Sequence, residues 1–201
     1  MAPQISREAR ISRQTNETTV ELKLNLDGTG RAQIQTGQGF FDHMLEHIAR
    51  HGLLDMELTA KGDLHVDAHH TVEDVGICLG KAILEAVGEP EGLARFGHAL
   101  VPMDETLAEA AVDFSGRPYL VFNAALPLGD VGGFDAELAE EFFYAVAMQS
   151  RITLHIELRR GRNLHHCLEG LFKAFGRALR FALERDPRVR GVPSTKGMLE
   201  T

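Results

Sequence analysis

The chain has 201 residues, enough for one large domain or two small ones around a sizeable core. Hydrophobic residues make up 44% and charged residues 25%, as in soluble globular proteins, and the formal net charge of -8 argues against a general nucleic-acid binder. No apolar run approaches membrane-spanning length, and two cysteines, Cys78 and Cys167, imply no disulfide framework and fit a reducing cytoplasm.

The arm from Met1 to Asn16 is polar, carries Arg7, Arg10 and Arg13, and lacks the apolar core of a signal peptide. Thr18 to Leu26 alternates, with Val20, Leu22, Leu24 and Leu26 on one side and Glu21, Lys23 and Asn25 on the other. That is a half-buried strand. Asp27-Gly28-Thr29-Gly30 is a hairpin turn signal, and Arg31 to Thr36 is expected to return as its partner. Phe40 to His51 predicts a helix stopped by Gly52, with His43, His47 and His51 stacked along one face and Phe41, Met44, Leu45 and Ile48 on the other. Such a stripe is more often a solvated face than a site. Leu54 to Ala60 is a further strand. A helix then runs from just after Asp67 to about Val87, where Gly88 and Pro90 end it.

From Gly97 the pattern restarts. Ala99 to Met103 and Ala108 to Phe114 are strands, Ser115-Gly116-Arg117-Pro118 is a turn, and Tyr119 to Asn123 is its expected partner strand. Gly129 to Gly133 is a loop, and Ala136 to Met148 is a helix whose doublet Phe142-Phe143 echoes Phe40-Phe41. Ile152 to Arg159 alternates, with His155 on its polar face. A last helix runs to about Glu184, followed by a polar tail. The predicted class is α+β, an internally duplicated subunit of two β-sheets with helices on one face of each, related by a pseudo-two-fold. The first half-repeat is residues 1–93 with its arm at 1–16; the second is 94–201 with its tail at 185–201. Together they form one compact unit.

Both halves contain the same word at the start of a helix. His69-His70-Thr71-Val72-Glu73 and His165-His166-Cys167-Leu168-Glu169 both read His-His-x-x-Glu, 96 positions apart. Residues four apart share a helical face, so His69 converges with Glu73 and His165 with Glu169. Adjacent histidines diverge by about 100° and cannot easily serve one ion from one helix. Two facing copies would make two sites: His69, Glu73 and His166 in one, His165, Glu169 and His70 in the other. A single copy is more often an ordinary helix start, but recurrence in a matching context weakens that reading. His43 and His155 are the best extra donors. Nitrogen and oxygen ligands with no thiolate suit Mn(II), Zn(II), Co(II) or Fe(II). Cys167 turns away from the ligand face and belongs to the core. His65 and His98 have no supporting pattern. Asp67 and Asp74 flank the first word, either as acceptors that orient imidazoles or as surface charge.

Several stretches, taken together, are specific to one family. They are Leu26-Asp27-Gly28-Thr29-Gly30, Phe40-Phe41-Asp42-His43-Met44-Leu45, Asp67 through Asp74, Arg95-Phe96-Gly97, Pro102-Met103-Asp104-Glu105, Asp113 through Pro118, and His155 through Lys173. Over nearly its whole length, from Asn16-Glu17-Thr18 to Ser194-Thr195-Lys196, the chain resembles the imidazoleglycerol-phosphate dehydratases of histidine biosynthesis. The resemblance implies a hydro-lyase that converts imidazole glycerol phosphate to imidazole acetol phosphate and water. The route it implies passes through a metal-bound imidazolate and a diazafulvene-like intermediate. It implies two Mn(II) per active site, one held by His43, His70, His165 and Glu169, the other by His69, Glu73, His155 and His166. It makes Glu17 the acid/base, with Asp104 and Glu105 weaker alternatives. On the substrate side it sets Glu17, His51, Arg95, Arg117, Lys173, Ser194 and Lys196. Guanidinium and ammonium groups there suit a phosphate dianion. It implies interfacial sites in a symmetric homo-oligomer of about 24 subunits. The chain departs from the family at His47, where many relatives carry glutamine. Two rivals are a dinuclear metallohydrolase acting on phosphate esters and a ferritin-like metal store, which needs long bundled helices.

Overall fold

The structure is a computed structural model that describes residues 7–189 and 191–194. The first half comprises β1 (Glu8–Gln14), β2 (Thr18–Asn25), β3 (Ala32–Gln35), α1 (Gly39–Gly52), β4 (Asp55–Gly62) and α2 (His69–Val87). Alternation acts as expected in β2 and β4: Val20, Leu22 and Leu24, and Met56, Leu58 and Ala60, are buried while their neighbours face out. The sheet order is β1-β2-β4-β3.

The second half comprises β5 (Phe96–Met103), β6 (Thr106–Asp113), β7 (Tyr119–Asn123), the small hairpin β8 (Asp130–Val131) and β9 (Phe134–Asp135), α3 (Leu138–Ser150), β10 (Thr153–Arg160) and α4 (Leu164–Leu183). Its sheet order is β5-β6-β10-β7, the order of the first sheet. The correspondence extends to detail. Both α1 and α3 end on a non-glycine residue in the left-handed region, Leu53 at φ 54° and Arg151 at φ 56°. The fold is α+β and repeats itself. Ten strands among the described residues leave no place for a helical metal store.

Three local expectations are corrected. First, β3 is not the hairpin partner of β2. β4 lies between them, antiparallel to β2 and parallel to β3 with Ala32 opposite Met56, so β3, α1 and β4 form a crossover unit. The Asp55 carboxylate accepts the N–H groups of Thr29 and Arg31 and pairs with the Arg31 side chain, which leads the chain past the hairpin position. Second, β7 pairs in parallel with β10 rather than with β6. Third, much of the polar arm is a strand: β1 forms the sheet edge against β2, and Arg7 is fixed by Asp27 and the Leu183 carbonyl. An edge strand needs few apolar side chains, and β1 supplies only Ala9 and Ile11.

The helices lie between the two sheets. α2 covers β1, β2 and β4, and α4 covers β5, β6 and β10; α2 packs on α3, and α1 on α4. Small residues set these crossings: a Cβ on Gly80 would lie 2.7 Å from the Val146 carbonyl oxygen, and one on Gly176 would lie 3.0 Å from that of Ile48. The two helices that carry the repeated word are therefore not packed as a pair, contrary to the expected pseudo-two-fold contact. The anticipated apolar stripes of both helices are buried, and Phe41 of α1 meets Phe134 and Phe142 of the second half, joining the halves in one core. Cys167 is buried there as expected. No described helix is long and apolar enough to cross a membrane.

The outer sheet faces differ. Across the first sheet the row Arg10, Lys23, Glu57, Gln33 is polar. The second sheet exposes Phe96, Leu100 and Tyr119.

Candidate metal centre

Helix α1 is fixed at its start. The Gln38 side chain accepts the N–H groups of Phe40 and Phe41, and Asp42 accepts from the Thr36 N–H and hydroxyl. One imidazole per turn then projects from a single face: His43, His47 and His51. Asn163 caps α4 by accepting the His166 N–H, which places His165 and Glu169 one turn apart. Because α1 and α4 cross, the two faces meet.

They meet on Glu169, whose side chain is 7% exposed. His43 Nε2 lies 3.3 Å from one carboxylate oxygen, His165 Nε2 3.0 Å from the same oxygen, and His47 Nε2 3.3 Å from the other. His43 and His47 are 3.2 Å apart through Nε2. Lys173 Nζ closes the cluster at 2.5 Å from Glu169. Burial raises the Glu169 carboxyl, but Lys173, His47 and His165 outweigh it and hold it at about 2. Burial pushes His47 down to about 4, so its ring is neutral and its lone pair available near neutral pH. A buried carboxylate approached by three imidazoles, with ligand atoms near 3 Å apart, fits a divalent transition metal. Among the described residues, His43, His47 and Glu169 are the one group with three donor atoms within 4.8 Å of one another.

The first word lies apart from this cluster. His70 Nδ1 is 3.0 Å from Asp63, and its Nε2 is 3.9 Å from Glu17. His69 lines a cleft of about 700 Å³ with Asp67, Asp130, Asp135 and Glu141. That acidic lining is unsuited to a phosphate. His166 turns from the Glu169 cluster and meets Glu105 at 2.9 Å through Nδ1. His155 is exposed on the outer face of the second sheet, between Ala111 and Val121. One chain thus brings together His43, His165 and Glu169 of the expected ligands, and leaves His69, His70, Glu73, His155 and His166 elsewhere.

Among the substrate-side residues, Lys173 is in the Glu169 cluster and His51 stacks on His47 with ring centroids 5.7 Å apart. Arg117 is exposed at a turn whose backbone is held by Ser115. Arg95 pairs with Asp113 and donates to the Pro193 carbonyl beside Ser194. Glu17 is exposed. Lys196 lies outside the described residues.

Known proteins share this sequence and fold. A profile of the imidazoleglycerol-phosphate dehydratase family matches residues 36–179. An imidazoleglycerol-phosphate dehydratase of Symbiobacterium thermophilum is 61% identical over 193 residues, covering 96% of this chain and 93% of the relative. The chain belongs to the imidazoleglycerol-phosphate dehydratase family. A dehydratase of this family from Desulfitobacterium hafniense is 60% identical over 96% of this chain and 98% of its own. Among solved structures, the family member from Staphylococcus aureus superposes with a TM-score of 0.81 at 43% identity, covering 89% of this chain and 99% of that one. The dehydratase from Pyrococcus furiosus does so with a TM-score of 0.81 at 38% identity, over 94% and 100%. The family's members are named as dehydratases, which places this chain among the hydro-lyases.

Within this family fold, three groups have surroundings that the sequence does not foretell, Glu105 among them as a partner of His166 rather than an acid/base. His47 is expected on a solvated stripe, yet its side chain is only 16% exposed and touches Glu169. Its signal was its spacing from His43, one turn on. Asp63 and Glu105 are the carboxylates that meet imidazoles. Asp67 instead accepts the His69 N–H at the start of α2, and Asp74 is buried against Arg13 and Thr18. Nothing local in the sequence marks Asp63, because its partner His70 meets it only after β4 has turned into α2.

Proposed function

We propose that the chain is a metal-dependent dehydratase that converts imidazole glycerol phosphate to imidazole acetol phosphate and water in histidine biosynthesis. The observation that carries this reading is the convergence of three imidazoles on the buried Glu169 in a chain of that family. His43, His70, His165 and Glu169 would hold one Mn(II), and His69, Glu73, His155 and His166 the other. Bound divalent ions supply Lewis acidity toward the nitrogens of the substrate's imidazole ring.

The ligand sets are scattered over one chain, so a complete site takes residues from more than one copy. His155 lies on the sheet face that exposes Phe96, Leu100 and Tyr119, and such an apolar face suits burial against another copy. We infer a cytoplasmic homo-oligomer with interfacial sites, of about 24 subunits in closed symmetry.

The reaction removes hydroxide from the carbon attached to the ring and a proton from the next carbon; the resulting enol, which keeps the second carbon's hydroxyl, becomes the ketone. No carbonyl of the substrate activates that proton, so a protein acid/base has to stand at the glycerol chain. Glu17 suits this role: its carboxylate is 54% exposed and only loosely approached by His70. Arg117, Lys173, Ser194 and Lys196 would take the phosphate, with Arg95 tying the segment before Ser194 to Asp113.

Metal analysis of the purified protein, with turnover of imidazole glycerol phosphate measured before and after chelation, tests the reading. Turnover is expected to vanish on chelation and return with Mn(II). Turnover of generic phosphate esters alone would retire the dehydratase in favour of a metallohydrolase.

A further inference from the structure

The duplication sets two glutamates at corresponding positions. Glu17 ends the β1–β2 turn, just before buried Thr18, and Glu105 ends the β5–β6 turn, just before buried Thr106. Each faces the second histidine of the word in its own half, but they do so differently. Glu17 approaches His70 Nε2 at 3.9 Å and is otherwise exposed. Glu105 is saturated: it lies 2.9 Å from His166 Nδ1 and accepts the N–H groups of Asn163 at 2.8 Å and Arg162 at 3.3 Å.

In the first half the place of Glu105 is taken by Asp63, from the end of β4. Its carboxylate lies 3.0 Å from His70 Nδ1. Both second histidines therefore have the same surroundings from unrelated chain positions: a carboxylate on Nδ1, and Nε2 left open with a second carboxylate 3.9 Å away, Glu17 for His70 and Asp104 for His166. A carboxylate on Nδ1 puts the proton there and leaves the Nε2 lone pair to a metal, and it fixes the ring plane.

Resting on the metal reading above, we propose that Asp63 and Glu105 are positioning residues, one for each ion, that set His70 and His166 as Nε2 donors. Glu105 has thereby left proton transfer to its counterpart Glu17. Glu105 already accepts from three donors, whereas Glu17 is approached only by His70 at 3.9 Å and keeps its carboxylate free to exchange a proton.

The test is Mn(II) titration of the full-length protein, followed by the electron paramagnetic resonance signal of free and paired Mn(II), with turnover measured in parallel. The wild type is expected to bind two Mn(II) per site. Glu105→Ala should weaken one of them by about 10–100-fold and abolish the paired-ion signal at limiting metal. Asp63→Ala should weaken the other, and the double variant both. Glu105→Gln keeps one acceptor oxygen, which can serve the His166 Nδ1–H but not the backbone donors as well. It should recover most of the lost affinity, and more turnover than Glu17→Gln retains, even if Glu105→Ala folds poorly. Two full-affinity ions in both alanine variants would overturn the inference alone, as would a Glu105→Gln enzyme as inactive as Glu17→Gln. A wild type that takes up no Mn(II) would overturn the metal reading, and this inference with it.

Discussion

The two copies of His-His-x-x-Glu share sequence, helix position and a carboxylate on their second histidine, yet they have different neighbours. The second copy finds α1 across from it, and His43 and His47 collect around Glu169 within one chain. The first copy finds α3, which offers no imidazole, and among the described residues its Glu73 is gathered into no such cluster. On the proposed reading each copy is half of a site, and the helix packed beside it decides whether the same chain supplies the other half.

The largest expected effect breaks the cluster that one chain builds. Glu169→Ala should lower turnover by at least about 10³-fold and remove an ion from the purified protein. Glu73→Ala should do nearly the same despite its sparse surroundings, and a Glu73→Ala enzyme of normal rate would mean that only the second word acts. Next comes Glu17→Gln, which should cut kcat by about 10²–10⁴-fold while metal content stays unchanged. A near-normal kcat removes Glu17 from the reaction. Arg117→Ala should raise KM about tenfold, equivalent to about 1.4 kcal/mol, with a smaller change in kcat. An unchanged KM counts against a phosphate contact.

The smallest effect concerns acid stability and sharpens the contrast between His47 and an exposed histidine. Burial lowers the His47 pKa in the folded chain to about 4, below the usual histidine range. The unfolded chain therefore binds this proton first as pH falls. The folded state should lose stability between about pH 6.5 and pH 4, and should be unaffected by this group above that window. In metal-free protein, His47→Gln should reduce that loss by roughly 2 kcal/mol, read from denaturant midpoints at pH 7 and pH 4.5. Equal acid sensitivity in both proteins would show that His47 is not desolvated.

Much was legible in the residues themselves. Alternation placed β2, β4, β6 and β10, a period near 3.6 placed all four helices, and the doubled word announced the duplication. Those signals are local: they depend on side chains a few positions apart on one strand or helix face. Strand order was not local. β3 and β7 each end up beside a strand that follows an intervening helix, because the central positions of both sheets go to β4 and β10, whose inner faces are the most completely apolar. The partners of the histidines were settled the same way. His47 and Glu169 are 122 positions apart by subtraction of their numbers, and His166 and Glu105 are 61 apart. Which residue types each word presents, and on which helix face, is a local property of the chain. Only tertiary structure decided which imidazoles share a carboxylate, because helix crossings set by Gly52, Gly76, Gly80 and Gly176 bring α1 onto α4 and α2 onto α3.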